Sequence, residues 1–292
     1  MKIFVGVLVL LATTGCSQIN KVKEILSPTA PTPVTTTTSG SLGYTAIGAS
    51  DGIGFGGSAP CVPFTDCPNG TGYVQVLARQ LAAGGRPVTH LNLSIPGAVL
   101  SRAIEDLASS IGRSVPGNFI DREAPFVPTS TTHVTIFAGG NDANTIGQAL
   151  RAGAGSADPN AYVDGQVRQW GTDLVDLIAR IRARAPSARI VALNLPNLAA
   201  SPYVASYTPT EKRQMQRIAV GMSDRVNGLT ANNVLVVDLL CDARLLLPAN
   251  YASDGFHPSD SGYAIIAEKT LPPLRDGTAQ APSPTCAQRT IY

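Results

Sequence analysis

An α/β fold, with a five-stranded parallel sheet between two layers of helices, is what the sequence predicts, and three observations predict it. Strand-like runs and helix-like stripes alternate five times between residues 44 and 271, the pattern of a sheet whose crossovers are helices. The chain of 292 residues with 44% hydrophobic content has enough apolar material for one good-sized core. It also shows no internal repeat, so one domain accounts for the whole alternation.

The elements follow in order. Residues 44–47 (Tyr-Thr-Ala-Ile) are small, β-branched or aromatic and read as a buried strand. Val74, Leu77, Ala78 and Leu81 form a helical stripe closed by Gly84 and Gly85. Residues 88–93 are a second strand, broken by Pro96-Gly97, and Ile104, Leu107 and Ile111 mark the next helix. Residues 132–138 form a third strand that ends in Gly139-Gly140-Asn141-Asp142, read here as a loop. Val163, Val167, Trp170, Leu174, Leu177 and Ile181 fall at helical spacing, ahead of a fourth strand at 189–195. Thr208-Pro209-Thr210-Glu211 has the form of a capping box and opens a helix with Met215, Ile218, Met222 and Val226 on one face. Residues 234–239 are the fifth strand, and Ser259 or Asp260 caps a last helix through Ile265 and Ile266.

The first forty residues stand apart. Lys2 precedes an apolar run at 3–12 that is too short to span a bilayer. Thr13-Thr14-Gly15-Cys16 then resembles a bacterial lipobox, in which Cys16 is lipidated, although Thr13 stands where leucine is usual. An ordinary cleaved signal peptide with an incidental cysteine is the alternative, and both readings export the chain. Residues 27–43, rich in Pro and Thr, read as an extended tether. The organisation expected is therefore a signal segment at 1–16, a tether at 17–42, the α/β domain at 43–275 and a Pro-rich tail at 276–292.

Charged residues make up only 14% of the chain and the net charge is +2, which leaves no basic stripe for nucleic acid. Beyond Cys16 there are four cysteines, an even number in a chain expected to be exported. Cys61 with Cys67 and Cys241 with Cys286 is the pairing preferred among three, the second tying the tail beside the 254–257 loop. A zinc site is disfavoured because the spacings match neither a finger nor a ribbon.

Ser50 lies between Gly48 and Gly52 where the first strand must end. Glycine there allows positive φ and close backbone approach, so the serine can sit on a sharp turn at the carboxyl edge of the sheet. A serine needs a neutral imidazole to take its proton. Of three histidines, His90 and His133 fall inside or at the start of strands, and only His257 follows a loop with an acid three residues upstream, Asp254. That spacing lets the carboxylate reach Nδ1 while Nε2 points away, and the nearby helix N-terminus favours neutral imidazole. Asn141 after strand three and Gly97 after strand two are placed to donate, with the Ser50 N–H, to a developing oxyanion.

Each of these signals alone fits an ordinary loop. Together, and in this order at successive strand ends, they resemble the SGNH, or GDSL-type, serine hydrolase family from about residue 44 to 271. The resemblance implies a flavodoxin-like fold. It also implies esterase activity without metal or cofactor, with Ser50 as nucleophile, Gly97 and Asn141 in the oxyanion hole, and Asp254 and His257 as acid and base. Ala49 stands where the family has the aspartate of Gly-Asp-Ser, so another residue must fill that local role, with Asp51 the candidate. The string at 48–52 also fits the nucleophile elbow of α/β-hydrolases, but there the serine follows several strands, whereas here it ends the first, and no HGGG loop is present.

The family allows lipids, short-chain esters, acetylated sugars and thioesters. The segment 197–207, with Pro202, Tyr203 and Tyr207, is expected to form an apolar wall that suits acyl groups. A surface module that keeps the fold and only binds a glycan or lipid is the alternative from a different class.

Overall fold

A computed structural model describes residues 40–62 and 67–292. The signal segment, Cys16 and the tether up to residue 39 lie outside the described residues.

Five strands make one sheet: β1 (Leu42–Gly48), β2 (Val88–Asn92), β3 (His133–Phe137), β4 (Arg189–Leu193) and β5 (Leu235–Val237). Their order is β2-β1-β3-β4-β5 and every pairing is parallel. β1 is buried along its whole length, as a strand covered on both faces must be. The register sets Gly48 beside Phe137 and Phe137 beside Leu193. The loops that follow β1, β3 and β4 therefore leave the sheet at one level.

The longer helices are α1 (Tyr73–Ala82), α2 (Arg102–Ser110), α4 (Gly140–Arg151), α5 (Pro159–Arg184), α6 (Pro209–Asn227) and α7 (Asp260–Asp276), with a single turn α3 (Phe119–Arg122) between them. α1 packs on α7, while α5 packs on α6 and α6 on α4. Trp170, Tyr44, Tyr73 and Tyr263 are the largest side chains fully removed from water. The capping box is formed: Thr208 Oγ1 accepts from the Glu211 N–H at 3.3 Å, and Glu211 Oε2 accepts from the Thr208 N–H at 2.7 Å. Ser259 caps α7, accepting from the Gly262 N–H at 3.5 Å.

Two helical segments differ from expectation. The run Gly139–Asp142 is not a loop: Gly139, at φ 114°, caps α4, and Asn141 and Asp142 lie in its first turn. Small residues (Ala143, Thr145, Gly147, Ala149) carry most of the buried face of that helix, with Ile146 its one large apolar side chain, so its apolar stripe is faint in the sequence. α7 also runs on through Pro272 and Pro273 to Asp276 before Gly277 ends it at φ 76°. Pro273 and Leu274 are buried there, so packing outweighs the loss of helix N–H donors.

Disulfides join Cys61 to Cys67 and Cys241 to Cys286. The tail is tied down, but among the described residues its hydrogen bonds go to α6, to the loop after β4 and to Asp238 after β5, which accepts from Ser283 N–H at 2.9 Å, and none goes to the 254–257 loop. Asn197 Nδ2 donates to Gln288 O at 2.7 Å, Gln216 Oε1 accepts from Ile291 N at 2.8 Å, and Arg289 donates to Asp224 at 2.7 Å.

Candidate active site

Ser50 follows β1 in a run of tight turns, where Gly52 N–H donates to Ala49 O at 3.0 Å and Phe55 N–H to Ser50 O at 3.0 Å. Neither Gly48 nor Gly52 has positive φ. Both are needed for close approach instead: a Cβ on Gly52 would stand 2.6 Å from Ser94 Cβ, and one on Gly48 would stand 3.3 Å from Phe137 O. The end of β1 is braced by a residue the sequence did not single out. Glu123, fully buried just past α3, accepts the Gly48 N–H at 2.9 Å. Burial pushes its carboxyl well above the usual range, against the pull of the Gly48 and Ile95 N–H groups.

His257 arrives from the loop before α7. An antiparallel bridge between Tyr251 and Pro258 closes that loop, and Ala252 N–H donates to His257 O at 2.8 Å. Gly255 makes the bend at φ 70°, and its carbonyl accepts from Tyr203 N–H at 3.0 Å. Two acceptor oxygens of Asp254 then divide the work. Oδ1 takes the N–H groups of Phe256 at 2.9 Å and His257 at 3.0 Å, and Oδ2 lies 2.6 Å from His257 Nδ1. Burial alone would raise the Asp254 carboxyl. The hydrogen bonds from the His257 ring and from the two N–H groups outweigh it and hold the carboxyl below its ordinary value. A carboxylate only accepts, so Nδ1 carries a proton, and in the neutral tautomer this sets, Nε2 is the acceptor. Ser50 Oγ lies 2.8 Å from Nε2.

The structure thus brings Ser50, His257 and Asp254 into one line, with Ser50 only 6% exposed. Phe55 and Phe256 flank the imidazole, their ring centroids 4.7 and 5.1 Å from it. His90 and His133 lie in β2 and β3, apart from this line. Burial, with Arg189 and Arg86 nearby, depresses His133 to about 4.

Gly97 and Asn141 belong to one corner of the site. Asn141 Nδ2 donates to Ala98 O at 3.0 Å, which ties the first turn of α4 to the turn carrying Gly97. Gly97 needs its glycine, with φ at 83°. Among the described residues, neither the Ser50 N–H nor the Gly97 N–H donates to a backbone acceptor. Arg113, also unforeseen, donates from Nη2 to Asn141 Oδ1 at 3.2 Å and from Nη1 to Asn141 O at 2.8 Å. Asp142 beside it is fully buried and accepts the Leu100 N–H at 2.8 Å; burial lifts its carboxyl to about 6.

Asp51 does not take the place of the missing aspartate. Its carboxylate has no side-chain hydrogen bond to another described residue, and Asp51 is one of the residues lining a cavity of about 40 Å³, with Phe137, Leu195, Leu198, Tyr251 and Phe256. Burial raises its carboxyl, and His257 pulls the other way. The segment 197–207 does not form the expected wall: of its residues only Leu198 lines this cavity, the apolar side being completed by Leu195 and Pro196 just before it, while Pro202, Tyr203 and Tyr207 do not line it. Tyr203 stands outside it, 37% exposed, with its ring 5.2 Å from that of Phe256.

Among the described residues no three His, Cys, Asp or Glu side chains are grouped to hold a metal ion, and no helix is long and apolar enough to cross a membrane.

Comparison with known proteins adds the family. The model of the GDSL-like Lipase/Acylhydrolase family matches residues 46–265. No curated protein matches the chain. Among solved structures, the lipase Lip_vut3 from a goat rumen metagenome is 19% identical. It has a TM-score of 0.54, with 78% of this chain and 95% of that one covered. The acetylxylan esterase Axe2 of Geobacillus stearothermophilus is 18% identical at a TM-score of 0.51, covering 84% and 97%. Phospholipase A1 of Streptomyces albidoflavus is 20% identical at 0.50, covering 81% and 99%. At such identities these structures share the fold, the flavodoxin-like sandwich described above. With three quarters of its length matched by the family model, the chain belongs to the GDSL-like lipase/acylhydrolase family and is a carboxylic ester hydrolase.

Proposed function

We propose that the protein is an exported serine esterase that works through an acyl-enzyme on Ser50. The observation that carries this reading is the unbroken line from Asp254 Oδ2 through both nitrogens of His257 to Ser50 Oγ, at 2.6 and 2.8 Å. Ser50 Oγ attacks the ester carbonyl as His257 Nε2 takes its proton. The oxyanion accepts from the N–H groups of Ser50 and Gly97 and from the Asn141 amide. When the intermediate collapses, the C–O bond to the alcohol breaks and His257 returns the proton to that oxygen. Water, deprotonated by His257, then attacks the acyl-enzyme, and the acid leaves as Ser50 regains its proton. Asp254 stays ionised and orients the ring.

In this reading the acyl group lies against the cavity lined by Leu195, Pro196, Leu198 and Phe256. The cavity there, about 40 Å³, is far below the ~300 Å³ of a pocket for a drug-sized ligand. That supports acetyl or other short acyl groups over long chains. Its lining includes Asp51 and Gly140, the neighbours of Ser50 and Asn141 in the chain. The sequence of residues 1–16 supports export, with Cys16 as the lipidated residue that anchors the domain to a membrane.

Rates on p-nitrophenyl esters of increasing chain length, beside release of acetate from an acetylated polysaccharide, test both parts. Hydrolysis that falls steeply beyond short chains and vanishes in Ser50→Ala and His257→Ala, with unfolding temperatures within a few degrees of wild type, is the expected result. Substantial kcat in either variant overturns the assignment. No hydrolysis by the folded wild type leaves the fold as a binding module.

A further inference from the structure

An oxyanion donor on an asparagine side chain has a defect that a backbone N–H lacks. The amide is nearly symmetric in shape, and a half-turn of its last torsion presents an oxygen where the N–H should be. In the oxyanion hole that half-turn replaces attraction by repulsion. Two contacts oppose it here. On one end, Nδ2 donates to Ala98 O at 3.0 Å, a carbonyl that would repel Oδ1. On the other, Oδ1 accepts from Arg113 Nη2 at 3.2 Å, a cation that would repel the amide NH₂.

We propose that Arg113 is a positioning residue for ester hydrolysis, holding the Asn141 amide with its free N–H directed to the oxyanion. This rests on the role given to Asn141 above. Three observations support it. The guanidinium grips Asn141 twice, at Oδ1 and, through Nη1, at the main-chain carbonyl at 2.8 Å, so side chain and backbone of one residue are held together. Nη1 also meets Thr145 Oγ1, one turn further along α4, which itself donates to Asn141 O at 2.8 Å. Arg113 is in turn fixed at its own backbone: its N–H donates to Ala108 O at 2.9 Å, just past the Gly112 bend at φ 73° that ends α2. The contact is therefore built on two helices rather than on a mobile surface side chain.

A cation on Oδ1 also draws electron density from the amide and strengthens the N–H at its other end, as expected for chained hydrogen bonds in a partly buried site. Loss of Arg113 should leave substrate binding alone and weaken one donor in the transition state. Removing that donor altogether costs about 10²–10³ in kcat, so losing its orientation should cost roughly a tenth of that range, about 10-fold or more.

The test is a double-mutant cycle on kcat and KM for a short-chain ester, using Arg113→Met, Arg113→Lys, Asn141→Ala and the double variant Arg113→Met/Asn141→Ala. The expected result has four parts. Arg113→Met lowers kcat about 10-fold with KM unchanged. Arg113→Lys, which can still donate to Oδ1, recovers part of that loss. Asn141→Ala lowers kcat about 10²–10³. In the Asn141→Ala background, Arg113→Met then has no further effect. Equal losses from Arg113→Met in both backgrounds overturn the proposal and leave Arg113 a structural residue, with the role of Asn141 intact. An Asn141→Ala variant with normal kcat overturns the oxyanion assignment and this proposal with it. Should Arg113→Met fold poorly, Arg113→Lys takes its place in the same cycle: a partial kcat loss that disappears in the Asn141→Ala background supports the proposal, and an equal loss in both backgrounds, or none in either, overturns it.

Discussion

Glu123→Gln offers the sharpest test of how the nucleophile turn is held. Glu123 is fully buried and its Oε2 accepts the Gly48 N–H at 2.9 Å, two residues before Ser50. Among the described residues its other oxygen, Oε1, has no hydrogen-bond partner, nor do Ser94 Oγ and Tyr73 Oη, and all three atoms belong to side chains gathered around Gly48. Burial raises the carboxyl well above 4.5. The sign then follows. A carboxyl with a raised folded value binds its proton more tightly when folded, so its contribution to stability is intact below about 4.5 and is lost as pH climbs toward the folded value. Glutamine keeps an acceptor for Gly48 and has no proton to lose. The stability of Glu123→Gln relative to wild type should therefore rise with pH above about 4.5, by up to about 1.4 kcal/mol per pH unit while the folded group stays protonated. The other raised carboxyls, Asp51 and Asp142, are common to both proteins and cancel in the difference. Urea unfolding of both proteins at intervals from pH 4.5 to 8.5 measures it. A difference that stays flat across that range would show that Glu123 ionises alike in folded and unfolded chains. Glu123→Ala provides the scale at low pH, since an orphaned buried N–H costs about 1–3 kcal/mol by itself.

Three further predictions concern the loops and the ends of the chain. Gly255→Ala forces a side chain into φ 70° and sets its Cβ 2.7 Å from Tyr203 N, so it should lower both kcat and the unfolding temperature, the strain alone costing about 1–2 kcal/mol; wild-type turnover would mean the bend tolerates a Cβ. Cys286→Ser should destabilise more than Cys61→Ser in chemical unfolding, because the two bridges close separations of 45 and 6 residues, worth about 4 and 2 kcal/mol in chain entropy; the reverse order would refute that account. Cys16→Ala should move the protein from membranes to the soluble fraction at unchanged specific activity, and continued membrane binding would refute the lipid anchor.

What the sequence made legible was local. Tyr44 to Ile47 reads as a buried strand without reference to any partner, and the acid three residues before His257 needs only one turn to meet the ring. Five such strands alternating with helices were enough to predict a parallel sheet covered on both faces, while the order of its strands came only with the structure. What escaped was long-range or faint. Glu123 reaches Gly48 across 75 residues and Arg113 reaches Asn141 across 28. In the sequence each is one charged residue among others that face water. Gly139 to Asp142 carries four residues typical of turns, and a left-handed glycine that caps a helix is indistinguishable there from one that ends a strand. Asp51 shows the same limit from the other side. Its position beside Ser50 suggested a brace, but it makes no such hydrogen bond and lines the cavity beside Leu198 and Phe256 instead, and the brace comes from Glu123.

Covalent trapping of Ser50 tests the central claim most directly. A fluorophosphonate reacts with a serine only when a base removes its proton as the phosphorus–fluorine bond breaks, so the adduct reports the Ser50–His257 pair by itself, without any assumption about the natural ester. Peptide mass mapping of the native protein should find one phosphonyl group per chain, on the peptide that carries Ser50. His257→Ala should abolish the adduct, and Asp254→Ala should slow its formation. Labelling at another serine, or equal labelling of Ser50 in His257→Ala, would contradict the account.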